Sequence, residues 1–202
     1  MPDFVALGFD LAFKYNNPAI ILADGIIGQM MEKVVLPPFR PRRTEEEIRK
    51  QMPWATQGKL AGHKRNVITS LELDPAIMEE NNIRFQAKYR KIEEAEVRYE
   101  EIGCENADYL MIAFGSMARI CLKTQEMALA EGIKVGVLRP ITLWPFPSKI
   151  IAEYANKVKG MISVELNAGQ MVEDIRLAVN GKVKVEHFGR LGGIVPTPDE
   201  VL

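Results

Sequence analysis

Four short stretches gather the residue types that could handle an anion or a proton. They are Phe114-Gly115-Ser116-Met117, Arg139-Pro140 with Trp144-Pro145-Phe146-Pro147, Glu165-Leu166-Asn167-Ala168-Gly169-Gln170, and Gly189-Arg190-Leu191-Gly192-Gly193. Gly115 and Ser116 lead into a helix whose free N–H groups could hold an anion. The Gly-x-Gly-x-x-Gly spacing of a dinucleotide site is absent, and a turn with a helix cap explains the pair equally well. Gly192 and Gly193 permit close approach of a backbone or a ligand. Arg190 could grip a carboxylate or phosphate with both arms of its guanidinium; a surface turn is the plain alternative. Glu165 with Glu173 and Asp174 offers carboxylates for acid–base work, but no histidine or second fixed acid lies near them in sequence. Glu173 and Asp174 also suit the first turn of a helix, where the dipole favours negative charge. The Trp144 and Phe146 loop is stiff and aromatic, as subunit contacts often are, or it is a satellite of the core. Cys121 reads as buried and inert, Cys104 as an exposed thiol, His187 as packed, and His63 as a phosphate contact. Two cysteines cannot ligate a four-cysteine cluster or build a disulfide framework, and two histidines argue against an all-histidine metal site.

These loops need elements to position them. From residue 107 the pattern alternates regularly. Strands are predicted at 109–114, 133–138, 161–166 and 182–188, and helices at 117–130, 147–158 and 170–179. Links of two to six residues imply a three-layer, mainly parallel sheet with right-handed crossovers. Sites in such sheets lie beyond the carboxyl ends of the strands, where the four loops fall. Upstream, apolar residues from Phe4 to Tyr15 recur at helical spacing, and Asn16-Asn17-Pro18 stops that helix. Ala19-Ile20-Ile21-Leu22-Ala23 reads as a strand buried on both faces. One helix and one strand form no core, so 1–35 reads as the tail of another domain. Residues 36–103 read as a Pro-rich basic arm and a long helix. Thr44 and Glu47 have capping-box spacing. Asp74-Pro75 opens a helix expected to run to about 101. Met78, Phe85, Tyr89, Ile92 and Tyr99 fall on one stripe of it, which either packs on its own domain or lies across a partner. Residues 104–202 form the α/β domain.

The 202 residues hold 26 Lys and Arg against 27 Asp and Glu, a formal net charge of -1. That balance argues against a large basic face for nucleic acid. No apolar run approaches the roughly 18 residues of a membrane span. The first residues lack the charged and apolar regions of a signal peptide, so a cytoplasmic location is expected.

Taken in order, Asp24-Gly25-Ile26-Ile27-Gly28-Gln29-Met30-Met31-Glu32, Arg139 to Pro147, Glu165 to Met171 and Gly189 to Gly193 resemble the C-terminal half of the alpha subunit of 2-oxoacid:ferredoxin oxidoreductases. The 2-ketoisovalerate members are the most similar. The resemblance implies oxidative decarboxylation of a 2-oxoacid, transfer of the acyl group to coenzyme A and delivery of two electrons to ferredoxin. It implies thiamine diphosphate, Mg²⁺, coenzyme A and iron–sulfur clusters in the complete enzyme. It implies beta, gamma and ferredoxin-like delta subunits as partners, in a hetero-oligomer. Segment 1–35 then corresponds to the end of the domain that covers the thiamine pyrimidine ring, and 104–202 to a domain like the transketolase C-terminal domain. The family's Tyr-Pro-Ile-Thr-Pro-like substrate loop is not in this sequence. Catalysis is therefore expected elsewhere, with no cofactor bound by this chain alone. Gly25, Gly28, Gln29, Gly115, Ser116 and Arg190 are the cofactor-contact candidates. Arg40, Arg42 and Arg43 in the arm are interface candidates, as are Phe85, Tyr89 and Tyr99. Trp144, Phe146, Asn167, Gln170, Gly192 and Gly193 complete that set. Another thiamine enzyme of the transketolase or 1-deoxyxylulose-phosphate synthase type is the alternative within this fold. A non-catalytic module that binds a nucleotide or coenzyme A is the alternative outside catalysis.

Overall fold

The computed structural model describes residues 2–56, 58, 62 and 64–202. The chain divides into two compact units, one built from 1–19 and 33–87 and the other from 20–32 and 88–202. The prediction for His63 lies outside the described residues.

The second unit carries a five-stranded sheet. Its strands are β1 (Tyr99–Ile102), β2 (Tyr109–Ile112), β3 (Val135–Pro140), β4 (Gly160–Glu165) and β5 (Val185–Gly189). The order across the sheet is β1-β3-β2-β4-β5. β3, β2, β4 and β5 are mutually parallel, and β1 closes one edge antiparallel to β3. The mainly parallel α/β fold read from the sequence is therefore the fold observed.

Strand residues alternate between the two faces, as the pleat requires. Leu110, Ile112, Leu138 and Met161 face a core completed by Ile151 and Tyr154 of α6 (Ser148–Tyr154) and by Met171, Ile175 and Val179 of α7 (Met171–Val179). Met111, Val137 and Val164 face the other way, onto Met117, Ala118 and Cys121 of α5 (Gly115–Ala130). Helices on both faces make three layers. Gly136 is fixed by this packing. A Cβ there would stand 2.8 Å from the Cys104 Cα.

Several boundaries differ from the sequence reading. The helix from Asp74 does open with Asp74 accepting the Ala76 N–H, 2.8 Å away. This helix, α4 (Pro75–Ala95), ends six residues before the expected stop. Glu96 follows the last residue of the helix. It is buried and pairs with Arg98 at 2.7 Å. Tyr99 lies in β1 and not on the helix. The charge-rich run hid a strand because β1 is an edge strand, exposed along most of its length, and so tolerates Glu100 and Glu101. Residues 139–140 finish β3 and do not form a loop, and α6 ends before 158 because Ala155 to Lys157 turn tightly.

Ala19 to Ala23 form no strand. No segment of the sheet pairs with them, and Ile20 is 80% exposed. An apolar run becomes a strand only where a ladder partner satisfies its backbone. Two short helices escaped the sequence reading, α2 (Gly25–Gln29) and α8 (Pro198–Val201).

In the first unit, α1 (Pro2–Tyr15) ends where Asn16 takes a positive φ of 46°. Thr44 caps α3 (Glu45–Gln51) with the full capping box. Arg40 pairs with Asp10 at 2.7 Å, and Phe13 stacks on Trp54. From Met52 to Asp74 the described residues form no regular element. No helix among the described residues is long and apolar enough to cross a membrane.

Candidate functional site

The chain leaves β2 toward β3 on one side, while β4 and β5 lie on the other. The strand order therefore reverses between β2 and β4. Open parallel sheets take ligands at such a reversal, beyond the carboxyl ends of the strands. Here that mouth is bordered by the first turn of α5, the loop from Glu165 to Gln170, and the turn after β5.

Gly115 starts α5 with a φ of 60°, and Phe114 supplies no side-chain cap. The cap comes instead from Asp24, 92 residues away. Its Oδ2 accepts the Ser116 N–H at 3.2 Å, and its Oδ1 accepts the Ile27 N–H at 2.8 Å. Burial pushes this carboxyl up, but the hydrogen bonds from Ile27 and Ser116 outweigh it and hold it below the usual carboxylate range.

Glu165 plays the same part for α7 from the end of β4. Its side chain is fully buried. Oε1 accepts the Ser163 hydroxyl at 2.7 Å and the Val172 N–H at 3.0 Å; Oε2 accepts the N–H groups of Met171 at 2.8 Å and Gln170 at 3.2 Å. Burial raises its pKa, and Ser163 with the Met171 and Gln170 amides more than reverses that. Glu165 is thus a buried cap that carries its charge, and Glu173 and Asp174 lie exposed on the first turn of α7. The paired-carboxylate reading is not supported. His187 of β5 lies opposite Ser163 in register, and its Nε2 is 3.9 Å from Glu165 Oε1. That nitrogen is buried without a hydrogen-bond partner among the described residues. Ser163, Glu165 and His187 do not form a nucleophile triad. The serine donates to the carboxylate, and both lie inside the fold.

The remaining candidates fall in three places. Asn167 turns its loop by accepting the Gly169 N–H at 2.7 Å. Arg190 pairs with Glu200 at 3.2 Å, and Gly192 and Gly193 follow it in the left-handed region. Tyr89 meets Trp144 edge to face, with ring centroids 5.8 Å apart. Trp144 is exposed, whereas Phe146 packs on the core. Phe85 is exposed, and Ile92 is the one buried residue of α4. Gly25, Gly28 and Gln29 lie on α2, with open space beside both glycines. Arg42 and Arg43 are exposed in the arm. The sequence reading missed Asp24 and Ser163. An Asp-Gly step before a short helical run was the available sign for Asp24; nothing local marked Ser163.

The donor set does not fit the cofactors of thiamine and iron–sulfur chemistry. At the mouth the Ser116 N–H is taken by Asp24, and those of Gln170, Met171 and Val172 are taken by Glu165. Cys104 and Cys121 belong to the cores on opposite faces of the sheet. Among the described residues no three His, Cys, Asp or Glu side chains converge on a metal position. Cys104, expected exposed, is buried beneath β3, where its thiol donates to the Val137 carbonyl. Burial pushes the Cys121 thiol up to about 12 and also raises Cys104. A thiolate-directed reagent at pH 8 should therefore find no reactive cysteine in the native chain and two after unfolding. Reaction of either thiol under native conditions would contradict this burial.

Residues 107–201 match the family model for pyruvate:ferredoxin oxidoreductase core domain II. The ketoisovalerate oxidoreductase subunit VorB of Methanothermobacter thermautotrophicus is 45% identical over 193 residues, covering 96% of this chain and 53% of that protein. The 2-oxoglutarate synthase subunit KorA of Archaeoglobus fulgidus is 30% identical over 186 residues, covering 91% of this chain and 52% of its own length. This chain thus spans about half the length of the curated relatives it matches. Among solved structures, a 2-oxoglutarate:ferredoxin oxidoreductase from Magnetococcus marinus, with 2-oxoglutarate, coenzyme A and succinyl-CoA bound, superposes with a TM-score of 0.56 and 26% identity. That match covers 64% of this chain and 23% of the solved one.

Proposed function

The chain belongs to the 2-oxoacid:ferredoxin oxidoreductase family, and from that premise we propose that it is a portion of the alpha-type subunit of such an enzyme. The whole enzyme would oxidatively decarboxylate ketoisovalerate, form the corresponding acyl-CoA, and pass two electrons to ferredoxin. The observation that carries this reading is the 45% identity to a ketoisovalerate oxidoreductase subunit along 193 residues, against 30% to a 2-oxoglutarate synthase subunit.

This chain's share is architectural. The buried Glu165 and the half-buried Asp24 are committed to helix caps, so thiamine diphosphate, Mg²⁺, coenzyme A and the iron–sulfur clusters would be held by the rest of the enzyme. The sheet domain and α4 would then serve the assembly with beta, gamma and delta subunits. The exposed Phe85 and Trp144 and the basic arm at Arg42 and Arg43 are the surfaces offered to those partners. Exposed aromatics and arginines are the side chains that contribute most when an interface covers them.

The test is viologen reduction by the full multi-subunit enzyme containing this chain, with coenzyme A and one 2-oxoacid at a time. Ketoisovalerate should exceed 2-oxoglutarate in kcat/KM by at least about tenfold, equivalent to about 1.4 kcal/mol of transition-state discrimination. Viologen reduction without dependence on any 2-oxoacid would overturn the family activity. A preference for 2-oxoglutarate would overturn the substrate.

A further inference from the structure

We propose that residues 20–32 form a strap over the first turn of α5, with Asp24 as its latch, and that this strap opens as a unit while the sheet stays folded. The strap clusters with the sheet domain although more than 50 residues separate the two along the chain. None of its residues is buried. Ile20 and Leu22 are largely exposed, and the turn of helix at its centre spans only Gly25–Gln29. Burial of apolar surface therefore contributes little to holding it.

Two carboxylates remain as attachments. Glu32 pairs with Arg119 of α5 at 3.0 Å, but both side chains are more than half exposed, and pairs of that kind contribute little. Asp24 is better placed. One oxygen caps α2 through the Ile27 N–H and the other meets the Ser116 N–H at the start of α5. A carboxylate at a helix N-terminus gains from both the free N–H groups and the dipole. One side chain thus closes the strap's own helix and ties it to the sheet domain. Losing it costs both at once.

Ile27 reaches the same turn. A Cβ on Gly115 would stand 3.2 Å from Asp24 Oδ2 and 3.9 Å from the Ile27 Cδ1. The closed strap therefore covers the α5 end of the mouth where the strand order reverses. Opening it frees the Ser116 N–H and the surface of that turn. This inference rests on the geometry of this chain and not on which 2-oxoacid the enzyme takes.

Hydrogen exchange read at single amides of the full chain tests it. The probes are Ile27, Gly28 and Met30, which donate to the Asp24 side chain, the Asp24 carbonyl and the Ile26 carbonyl. In the native chain they should exchange at least 100-fold faster than the amides of Leu110 to Ile112. In Asp24→Ala they should speed by a further tenfold or more, with Leu110 to Ile112 unchanged. Strap amides as protected as those of β2 in the native chain would overturn the proposal, whatever the variant does. An Asp24→Ala chain that leaves the strap rates unchanged would remove Asp24 as the latch. A variant that speeds strap and sheet together would show that Asp24 belongs to the global fold.

Discussion

Replacing Glu165 by Ala should cost the sheet domain about 4 kcal/mol and lower its melting temperature by at least about 10 °C. The carboxylate receives the Ser163 hydroxyl and the N–H groups of Gln170, Met171 and Val172. Alanine would leave these donors without an acceptor, Ser163 and Val172 among them fully or nearly fully enclosed. Each buried donor left unmade costs roughly 1–3 kcal/mol, and partial entry of water keeps the sum below their total. Thermal unfolding of the variant measures the loss. A drop below about 3 °C would mean that α7 is held by its apolar face alone.

The same residue sets a pH dependence. The folded state holds Glu165 below the ordinary glutamate value of 4.5, so folding favours the ionised form. Its contribution is present in full above about 4.5 and fades as the pH falls through the lower folded value. Acid unfolding of Glu165→Gln should accordingly be less steep than that of the native chain. Gln stays neutral throughout and has no proton to take up. Equal steepness would assign the acid transition to other carboxylates.

Replacing Gly189 by Ala should cost about 3 kcal/mol through steric conflict alone. A Cβ at this position would stand 2.2 Å from the Asn167 carbonyl oxygen and 2.5 Å from the His187 ring. Neither can yield easily. The carbonyl belongs to the loop that Glu165 and Asn167 fix, and His187 is held in β5 opposite Ser163. Gly181→Ala is the control. Nothing stands within 4 Å of that position, and only its φ of 75° opposes a side chain. The cost there should be about 1 kcal/mol. Denaturant unfolding of the two variants separates close approach from backbone conformation. Equal losses would mean that the loop after β4 moves aside for a methyl group.

Much of the sheet domain was legible because its signals are local. Short apolar runs bounded by glycine, alternating with helical periods, specify parallel strands with helices on both faces. Thr44 with Glu47, Asp74 with Pro75, and Asn16-Asn17-Pro18 act within a few residues, and the structure places caps and stops at them. Cys121 was legible as buried from its place on a helix. Misreadings arose where a distant partner decided the outcome. Tyr99–Ile102 is a strand because β3 offers it an edge, while its own charges resembled a helix surface. Ala19 to Ala23 are apolar but have no ladder partner, so they stay extended and exposed.

The order of the strands, and with it the reversal between β2 and β4, is a matter of which edge each crossover returns to. Local sequence carries no record of that choice, so the mouth of the site became visible only in three dimensions. The same holds for the two caps that border it. Asp24 lies 92 residues from the helix it caps, and Glu165 looked like an acid–base candidate until its acceptors were found filled from Ser163 and α7. The amino-acid sequence by itself determined the elements, the α/β class and the family likeness, because each rests on residue type and short spacing. Tertiary structure alone decided which carboxylates are committed to caps and which thiols are sealed, because burial and hydrogen-bond satisfaction depend on neighbours that the fold brings from far along the chain.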